Sequence, residues 1–396
     1  MSYRILSLDG GGTWALIQVK ALIALYGSDT ASGHAVLKDF DLAAANSGGS
    51  IVLGALIEDL TLGEILAFFQ DEATRRSVFS KSDYLGDRLL HDLTGFGPKY
   101  SAENKLPALE SVLSTKGKIP LNKVTVGLRR PGSNVDLHIL IVAFDYDRDR
   151  ATFFRSSPSS GPRWGAGESS NLTLAEAIHA STNAPVNYFD APATFPDHPG
   201  RYWDGAITGC NNPVLAAVTE ALARGQQPSD IVALSLGTAS VALPRPQPNE
   251  APSPYLQPVI AQGIVTDLRK LATSILDDPP DIATYLAHVM TGAGIGINRP
   301  PANSRIVRMN PLISPIKTQE GWSAPGPMTA EEFTFLAALD MDAVEQQQVD
   351  AISKYADLWL HDSARNQPIR MNGDTLDPEL GPDTFSGAEA AWKVIQ

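Results

Sequence analysis

Residues 40–50 read FDLAAANSGGS and lead directly into the apolar stretch Ile51–Leu60. An apolar strand, a tight turn of small residues around Ser47 and a buried helix form the sequence pattern of a nucleophile elbow, which pushes the serine hydroxyl out of the backbone. The helix would place its N-terminus at this serine, where the helix dipole favours developing negative charge. The usual pattern is G-x-S-x-G, and Ala45 occupies the first glycine position. Because a Ser-Gly-Gly turn alone is common, Ser47 needs partners elsewhere in the chain.

A glycine-rich loop supplies the first candidate partner. Tyr3–Leu8 predicts a short buried strand, residues 9–13 read DGGGT, and Ala15–Leu25 predicts an apolar helix. Three consecutive glycines leave several backbone N–H groups uncovered by side chains, so the loop can bind an anion. It can hold a phosphate, or it can form the oxyanion hole of an acyl-transfer enzyme.

A carboxylate supplies the second candidate partner. Residues 201–206 read RYWDGA and place Asp204 beside a glycine after two aromatic residues. A serine hydroxyl is a poor nucleophile until another group accepts its proton. A carboxylate in a partly desolvated pocket can do so if burial raises its pKa. Asp-Gly is also a common turn dipeptide, so this interpretation of Asp204 depends on the other two motifs.

Together and in this order, the three motifs resemble those of the patatin-like phospholipase family. The resemblance implies that Ser47 is the nucleophile and that Asp204 is its only catalytic partner. It covers residues 4–240 well and the remainder loosely. The amides that it implies for the oxyanion hole are those of Gly10, Gly11, Gly12 and Gly48. Further segments that resemble the family are 97–100, 180–185, 211–213 and 235–238.

The resemblance also implies a fold and an activity. Strands alternate with helices along the chain, which predicts an α/β fold, and the family implies three α/β/α layers around a mostly parallel sheet. We expect a catalytic domain at 4–240, then a proline-rich connector and a mainly helical part at 241–396 packing on the same core. The implied activity is that of a calcium-independent phospholipase A or broad lipid acyl hydrolase without cofactor or metal. In it, the aspartate protonates the leaving alcohol and later activates water.

Two departures from the family pattern stand beside these matches. The family usually carries Arg or Lys and then Gly after the glycine loop, where this chain has Trp14 and Ala15. The missing cation could change how the loop is held in place or how the protein binds an anionic head group. Ala45 could tighten the elbow. Neither departure removes a catalytic group, so an active enzyme is expected.

Composition narrows the classes of partner. The 396 residues carry a formal net charge of −13, which argues against nucleic acid and against tight binding to anionic membranes. The protein would bind a lipid or phospholipid substrate through apolar contacts. It would make at most peripheral contact with a membrane. The sequence shows no signal peptide or membrane span, so we expect a cytoplasmic protein. Cys210 is the single cysteine, which excludes an intrachain disulfide. Oligomeric state stays open.

Three alternative functions remain. The DGGGT loop and residues 236–238 also resemble the phosphate loops of sugar kinases and related ATPases, a class that would depend on ATP and magnesium. An acyltransferase on a related fold would pair its serine with a histidine such as His179. A catalytically weak lipid-binding protein would explain Trp14 and Ala45.

Capping signals and apolar periodicity predict further elements. Strands are expected at Ile139–Phe144 and Asp230–Leu236, and one helix should have Asn212 as its N-cap and Pro213 as its first residue. Other predicted helices run from Thr173 to Ala180, from Thr329, and over 259–276, 281–290 and 344–360.

Overall fold

The computed structural model describes residues 2–78, 101–102, 105–157, 172–185, 188–259, 263, 270, 281–292, 304–319, 321–373 and 375–396. The segment 97–100 and nearly all of the helix predicted at 259–276 lie outside these residues. Within them, no helix combines the length and the apolar character needed to cross a membrane.

Strands and helices alternate through the first two thirds of the chain. The strands are β1 (Tyr3–Leu8), β2 (Leu42–Ala45), β3 (His138–Asp145), β4 (Arg150–Arg155), β5 (Ala193–Phe195), β6 (His198–Asp204), β7 (Ile231–Leu236), β8 (Ser240–Val241), β9 (Ile306–Met309), β10 (Pro311–Ile313), β11 (Ile316–Thr318), β12 (Gly321–Ser323), β13 (Arg365–Asn366), β14 (Arg370–Met371) and β15 (Pro378–Leu380). The helices are α1 (Leu16–Tyr26), α2 (Gly33–Leu37), α3 (Ser47–Ile57), α4 (Leu62–Gln70), α5 (Glu72–Val78), α6 (Lys105–Val112), α7 (Leu121–Val124), α8 (Leu174–Ser181), α9 (Val214–Ala223), α10 (281–290), α11 (Ala330–Ala337), α12 (Gln346–Leu360) and α13 (Phe385–Ile395).

Eight strands form the central sheet. Its order is β5-β6-β3-β2-β1-β7-β9, with β4 paired to β3 as well. The run β3-β2-β1-β7-β9 is parallel throughout, whereas β4, β5 and β6 pair in antiparallel fashion. The long connections that parallel strands need are supplied by the helices.

Alternate residues of β1 face two separate apolar cores. Leu6 and Leu8 belong to the core that includes α1 and α3, whereas Ile5 belongs to the core that includes Val214 of α9 and Ala287 of α10. A sheet buried on both faces by helices is typical of three-layer α/β proteins. The predicted α/β/α fold with a mostly parallel sheet is therefore confirmed.

The predicted helix starts that fall within the described residues agree with the structure to within two residues. Thr173 caps α8 through a capping box with Glu176, as its sequence pattern predicts. The N-cap predicted at Asn212 is displaced, since α9 begins at Val214 with Pro213 as its N-cap residue. The Asn212 side chain nevertheless accepts a hydrogen bond from the Val214 amide at 3.0 Å, so it still satisfies one of the free N–H groups at the helix start.

The C-terminal part contains more strand than its sequence predicts. Residues 306–309 form β9, which extends the central sheet beside β7, and β8 pairs with β10. These strands are two to four residues long, too short to show the two-residue periodicity on which strand prediction depends. Helix α12 packs on α1, where the Lys20 ammonium lies 2.7 Å from the Asp357 carboxylate.

Strands β1, β2 and β7 end in register at one edge of the sheet. Leu8 lies opposite both Ala45 and Leu236, the last residues of β2 and β7. The loops that leave these carboxyl ends are therefore neighbours, and this edge is where α/β proteins bind their ligands.

We expect Gly49→Ala to destabilise the fold, although alanine favours helix formation. A β-carbon at Gly49 of α3 would lie 2.5 Å from the Leu8 carbonyl oxygen and 2.6 Å from that of Asp9. Because backbone cannot give way cheaply, overpacking should lower the free energy of unfolding by about 1–3 kcal/mol. Urea denaturation measures the change. Gly373→Ala, where the added carbon has no neighbour within 4 Å, is the control and should differ little from wild type.

Candidate active site

Ser47 is the first residue of α3 and has a left-handed backbone conformation with a φ of +47°. Non-glycine residues rarely adopt this region, and the resulting strain is typical of functional turns. Two hydrogen bonds hold the turn: the Ser47 amide donates to Ser181 Oγ at 2.9 Å, and Ser50 Oγ donates to the Ser47 carbonyl oxygen at 2.6 Å. The predicted elbow conformation is thus present, and α8 supports it through Ser181.

The glycine loop lies directly against this elbow. A β-carbon on Gly48 would be 2.4 Å from the carbonyl oxygen of Gly12, so the two backbones touch. The Gly10 amide donates to the Asn211 carbonyl oxygen at 2.9 Å, and Thr238 Oγ1 donates to the Gly10 carbonyl oxygen at 2.6 Å. Among the predicted oxyanion residues, Gly12 and Gly48 line the cavity beside Ser47, whereas the amide of Gly10 already has a partner.

Asp204 ends β6 and is buried beside the same turn. Its Oδ1 atom accepts hydrogen bonds from Asn46 Nδ2 at 3.1 Å and from the Ala206 amide at 2.8 Å. Burial raises the pKa of Asp204 above its ordinary value, while the side chain of Ser47, these two hydrogen bonds and the charge of Lys105 act in the opposite direction. The structure therefore brings Asp204 to Ser47 from 157 positions along the chain, where Asp204 can act as a base of raised basicity.

A small cavity opens beside Ser47. It leaves about 20 Å³ for a water-sized molecule, which is room for one water. Its lining residues include Gly12, Ser47, Gly48, Ile51, Lys105, Thr182, Phe189 and Met341.

Lys105 is a residue of this cavity that the sequence analysis did not single out. It lies in the first turn of α6 and is 1% exposed. Its Nζ atom donates to the Thr182 carbonyl oxygen at 2.6 Å and lies 3.9 Å from the centre of the Phe189 ring. One lysine in an amphipathic helix carries no sequence signal of such burial, because the contact is made by segments about 80 residues away.

Arg308 is a second unpredicted residue, and it holds the glycine loop. Its guanidinium lies 2.6 Å from the Asp9 carboxylate, and both side chains are buried. It also donates to Ser235 Oγ at 2.9 Å. Burial raises the pKa of Asp9 to about 6, against the lowering effect of Arg308. Strand β9 therefore supplies a buried cation to Asp9, the first residue of the glycine loop.

Trp14, the main departure from the family pattern, contacts the C-terminal part. Its indole Nε1 donates to the Asp340 carbonyl oxygen at 3.0 Å, and the Thr13 amide donates to that of Met341 at 3.2 Å. The other departure, Ala45, is fully buried in the core and pairs with Leu8 in the sheet. Both residues have structural roles beside the site.

His179 is buried in α8 and packs against the Phe195 ring. Burial, together with the nearby Lys105 charge, lowers the pKa of His179 to about 3. It is not among the described residues that line the cavity beside Ser47. A structural role for this histidine fits its position better than the role of base. In the part of the chain that the structure describes, no three His, Cys, Asp or Glu side chains are grouped to hold a metal ion.

A family comparison agrees with this geometry. The model of the patatin-like phospholipase family matches residues 6–218, more than half of the chain. The chain therefore belongs to the patatin-like phospholipase family, and membership implies a lipid substrate. Membership favours the hydrolase interpretation over a sugar kinase or ATPase.

Two solved structures show a distant likeness. VipD from Legionella pneumophila shares 10% identity over 90% of this chain and 67% of its own, with a TM-score of 0.39. The type III effector protein ExoU shares 12% identity over 74% of this chain and 53% of its own, with a TM-score of 0.24. The chain thus spans about half of the length of that ExoU chain. No curated protein matches this chain.

Breaking the Asp9–Arg308 pair should cost more stability than removing both charges. Arg308→Met leaves a buried carboxylate without its partner, which typically costs about 3–5 kcal/mol. The double variant Asp9→Asn with Arg308→Met removes the charge as well and should recover part of that loss. Denaturant unfolding at pH 7.5 of the wild type, both single variants and the double variant measures the coupling. If the double variant loses as much stability as the two single variants together, the coupling is zero and the pair contributes nothing beyond packing.

Proposed function

We propose that this protein is a lipid acyl hydrolase of the phospholipase A type, acting through a Ser47–Asp204 dyad. The observation that carries the proposal is that the strained Ser47 interacts with the buried carboxylate of Asp204 and lines one cavity together with Gly12 and Gly48. The family implies the reaction, and the positions of these groups fit the parts that it requires.

The first step is acylation of the enzyme. Asp204 accepts the proton of the Ser47 hydroxyl, and the oxygen attacks the ester carbonyl carbon of the lipid. The hydrogen bonds to Oδ1 from Asn46 and Ala206 orient the carboxylate, and its burial favours proton uptake. The lipid alcohol then leaves, and the acyl group remains on Ser47 until water releases the fatty acid.

Backbone amides stabilise the oxyanion of each tetrahedral intermediate by donating hydrogen bonds to it. Gly11, Gly12 and Gly48 are the candidates, since the Gly10 amide is bonded to Asn211. The Gly48 amide belongs to the first turn of α3, where N–H groups have no partner within the helix and the helix dipole favours negative charge. Losing one such donor typically costs about 10²–10³ in rate.

Substrate binding requires the cavity to widen. A fatty acyl chain needs far more than the 20 Å³ beside Ser47. The cavity wall is mostly apolar, and it includes Met341, whose flexible side chain can rearrange to admit an acyl chain. The reaction as proposed uses no metal, so hydrolysis should proceed in EDTA.

Hydrolysis should be lost when either member of the dyad is removed. We expect Ser47→Ala and Asp204→Asn each to lower kcat/KM on a medium-chain nitrophenyl ester and on a phospholipid by at least about 10³-fold, since the nucleophile or its base is gone. Release of nitrophenol and of fatty acid, measured in EDTA, reports the loss.

Residues of the same types that lie away from the cavity supply the matched controls. Ser133→Ala and Asp147→Asn change a serine and an aspartate away from the cavity and should keep wild-type rates. If Asp204→Asn stays active while Ser47→Ala does not, the base is a different group and the dyad is wrong.

The pH profile should carry the signature of a buried base. Asp204 must be ionised to accept the serine proton, and burial raises its pKa. Activity should therefore fall as the pH drops through a value above the ordinary aspartate range, and it should level off at higher pH. The measurement is kcat/KM against pH at constant ionic strength, with tryptophan fluorescence confirming the folded state at each point. An acid limb at or below the ordinary aspartate pKa would contradict this assignment.

A further inference from the structure

The cavity beside Ser47 is bounded in part by a residue of the C-terminal part. Met341 lies between α11 and α12 and is among the described residues that line the cavity. The family match ends at residue 218, so no motif of the catalytic part accounts for this contact. Because the cavity has room for about one water, it cannot admit a fatty acyl chain until part of its wall gives way.

Hydrogen bonds hold the backbone of Met341 in place. Its carbonyl oxygen accepts from the Thr13 amide at 3.2 Å, and its own amide donates to Asp340 Oδ1 at 2.8 Å. Asp340 also accepts from Trp14 Nε1 through its carbonyl oxygen and from the Tyr188 hydroxyl through Oδ1. The segment thus connects the end of the glycine loop to Tyr188, another residue of the cavity wall. The side chain of Met341 can therefore move at a smaller cost than its backbone.

Other described residues of the wall are less able to give way. Ile51 belongs to α3, and its β-branched side chain is stiff. Phe189 is 2% exposed and covers the Lys105 ammonium at 3.9 Å from the ring centre. Methionine is unbranched, with three rotatable bonds in its side chain. Among the described lining residues, Met341 is therefore the one whose displacement opens the cavity most easily.

The charged residue of the wall is already engaged by other groups. Lys105 Nζ donates to the Thr182 carbonyl oxygen at 2.6 Å, and its charge interacts with that of Asp204. The rest of the described wall is mostly apolar. A hydrocarbon chain therefore suits this cavity better than a polar group does.

The proposed reaction decides which end of the substrate enters the cavity. The ester carbon must lie at Ser47 with its oxygen toward the amides of the oxyanion hole. That carbon carries two further substituents, the acyl chain and the alcohol. The alcohol of a phospholipid bears a phosphate and a polar head group, and burying these without partners costs free energy. The acyl chain has no such cost, so it is the part that fits the cavity.

We propose that Met341 is a specificity-determining residue that sets the length of the acyl chain accepted beside Ser47. This inference rests on the proposed function and adds a substrate preference to it. Short acyl chains need only a small displacement of the methionine side chain, whereas each further carbon needs a larger one. The C-terminal part thus selects the substrate of a site whose catalytic groups all lie in the family-matched part.

The test is kcat/KM on nitrophenyl esters whose acyl chains range from butyrate to hexadecanoate. Met341→Ala removes the side chain beyond its β-carbon, so the preferred acyl chain should lengthen by about three carbons. The ratio of kcat/KM for the decanoate to that for the butyrate should rise by about 10-fold or more. Met341→Leu keeps the volume but is branched and stiffer, so it should lower this ratio below that of wild type.

Controls separate selectivity from structure. Met371→Ala changes a partly buried methionine of β14 that is not among the described lining residues, and it should keep wild-type rates and the wild-type ratio. Titration of Ser47 with a phosphonate ester counts the folded active sites, so rates are compared per site. An equal change at all acyl lengths in Met341→Ala, or no change, would overturn the proposal.

A second series of esters tests which end of the substrate the cavity holds. It combines one short acid with alcohols of increasing length, and release of the acid is measured. Wild type and Met341→Ala should show the same dependence on alcohol length. A shift in the alcohol series without one in the acyl series would show that the cavity holds the alcohol, against the proposal.

Tyr188→Phe tests whether the whole segment moves instead of the Met341 side chain. This variant keeps the ring and loses the hydrogen bond to Asp340. It should leave the ratio of decanoate to butyrate rates unchanged. A rise as large as that of Met341→Ala would show that the segment opens as a lid, and the assignment to the side chain would be wrong.

Failure of the proposed function would look different. If wild type neither hydrolyses any ester of the series nor takes up phosphonate on Ser47, then the acyl hydrolase assignment itself is wrong. If wild type is active, Ser47→Ala is inactive and Met341→Ala keeps the wild-type dependence on acyl length, only the role of Met341 is wrong.

Discussion

Close backbone contact between the elbow and the glycine loop is the constraint on which the site depends. Gly48 meets the Gly12 backbone, and Gly49 meets the carbonyl oxygens of Leu8 and Asp9. Any side chain at these contacts would push α3 away from the end of β1. The strained conformation of Ser47 persists because this packing and the bond from its amide to Ser181 leave the turn no alternative. The same backbone contacts therefore fix both the position of Ser47 and the shape of the glycine loop.

Several buried charges surround this contact, and each has a different means of compensation. Asp9 pairs with Arg308, Asp204 accepts hydrogen bonds from Asn46 and Ala206, and Lys105 has a carbonyl oxygen and an aromatic ring. Burying such groups carries a desolvation penalty that a purely apolar core does not have. The same burial raises the pKa values of Asp9 and Asp204 and lowers that of Lys105, because desolvation disfavours the charged form of each group.

The C-terminal part contributes to the site although the family match ends at residue 218. Arg308 of β9 neutralises Asp9 under the glycine loop, and Asp340 and Met341 bond to Trp14 and Thr13 on its other side. The glycine loop and the residues after it are thus held by contacts with segments about 300 residues away in sequence. This contact explains why a tryptophan is useful at position 14, where the family usually has a cation. Its indole N–H donates a hydrogen bond to the Asp340 carbonyl oxygen.

The sequence alone determined the local geometry of the catalytic motifs. The glycines and Ser47 occur where strand, turn and helix must follow one another, and capping boxes such as that at Thr173 are encoded within four residues, so these features could be predicted. The tertiary structure decided which distant residues contact these motifs. Neither Arg308 nor Lys105 has a local signature, because a buried charge is defined by desolvation and by partners that only folding brings near. The short C-terminal strands went unpredicted for the same reason, since pairing with a neighbouring strand, rather than periodicity, stabilises them.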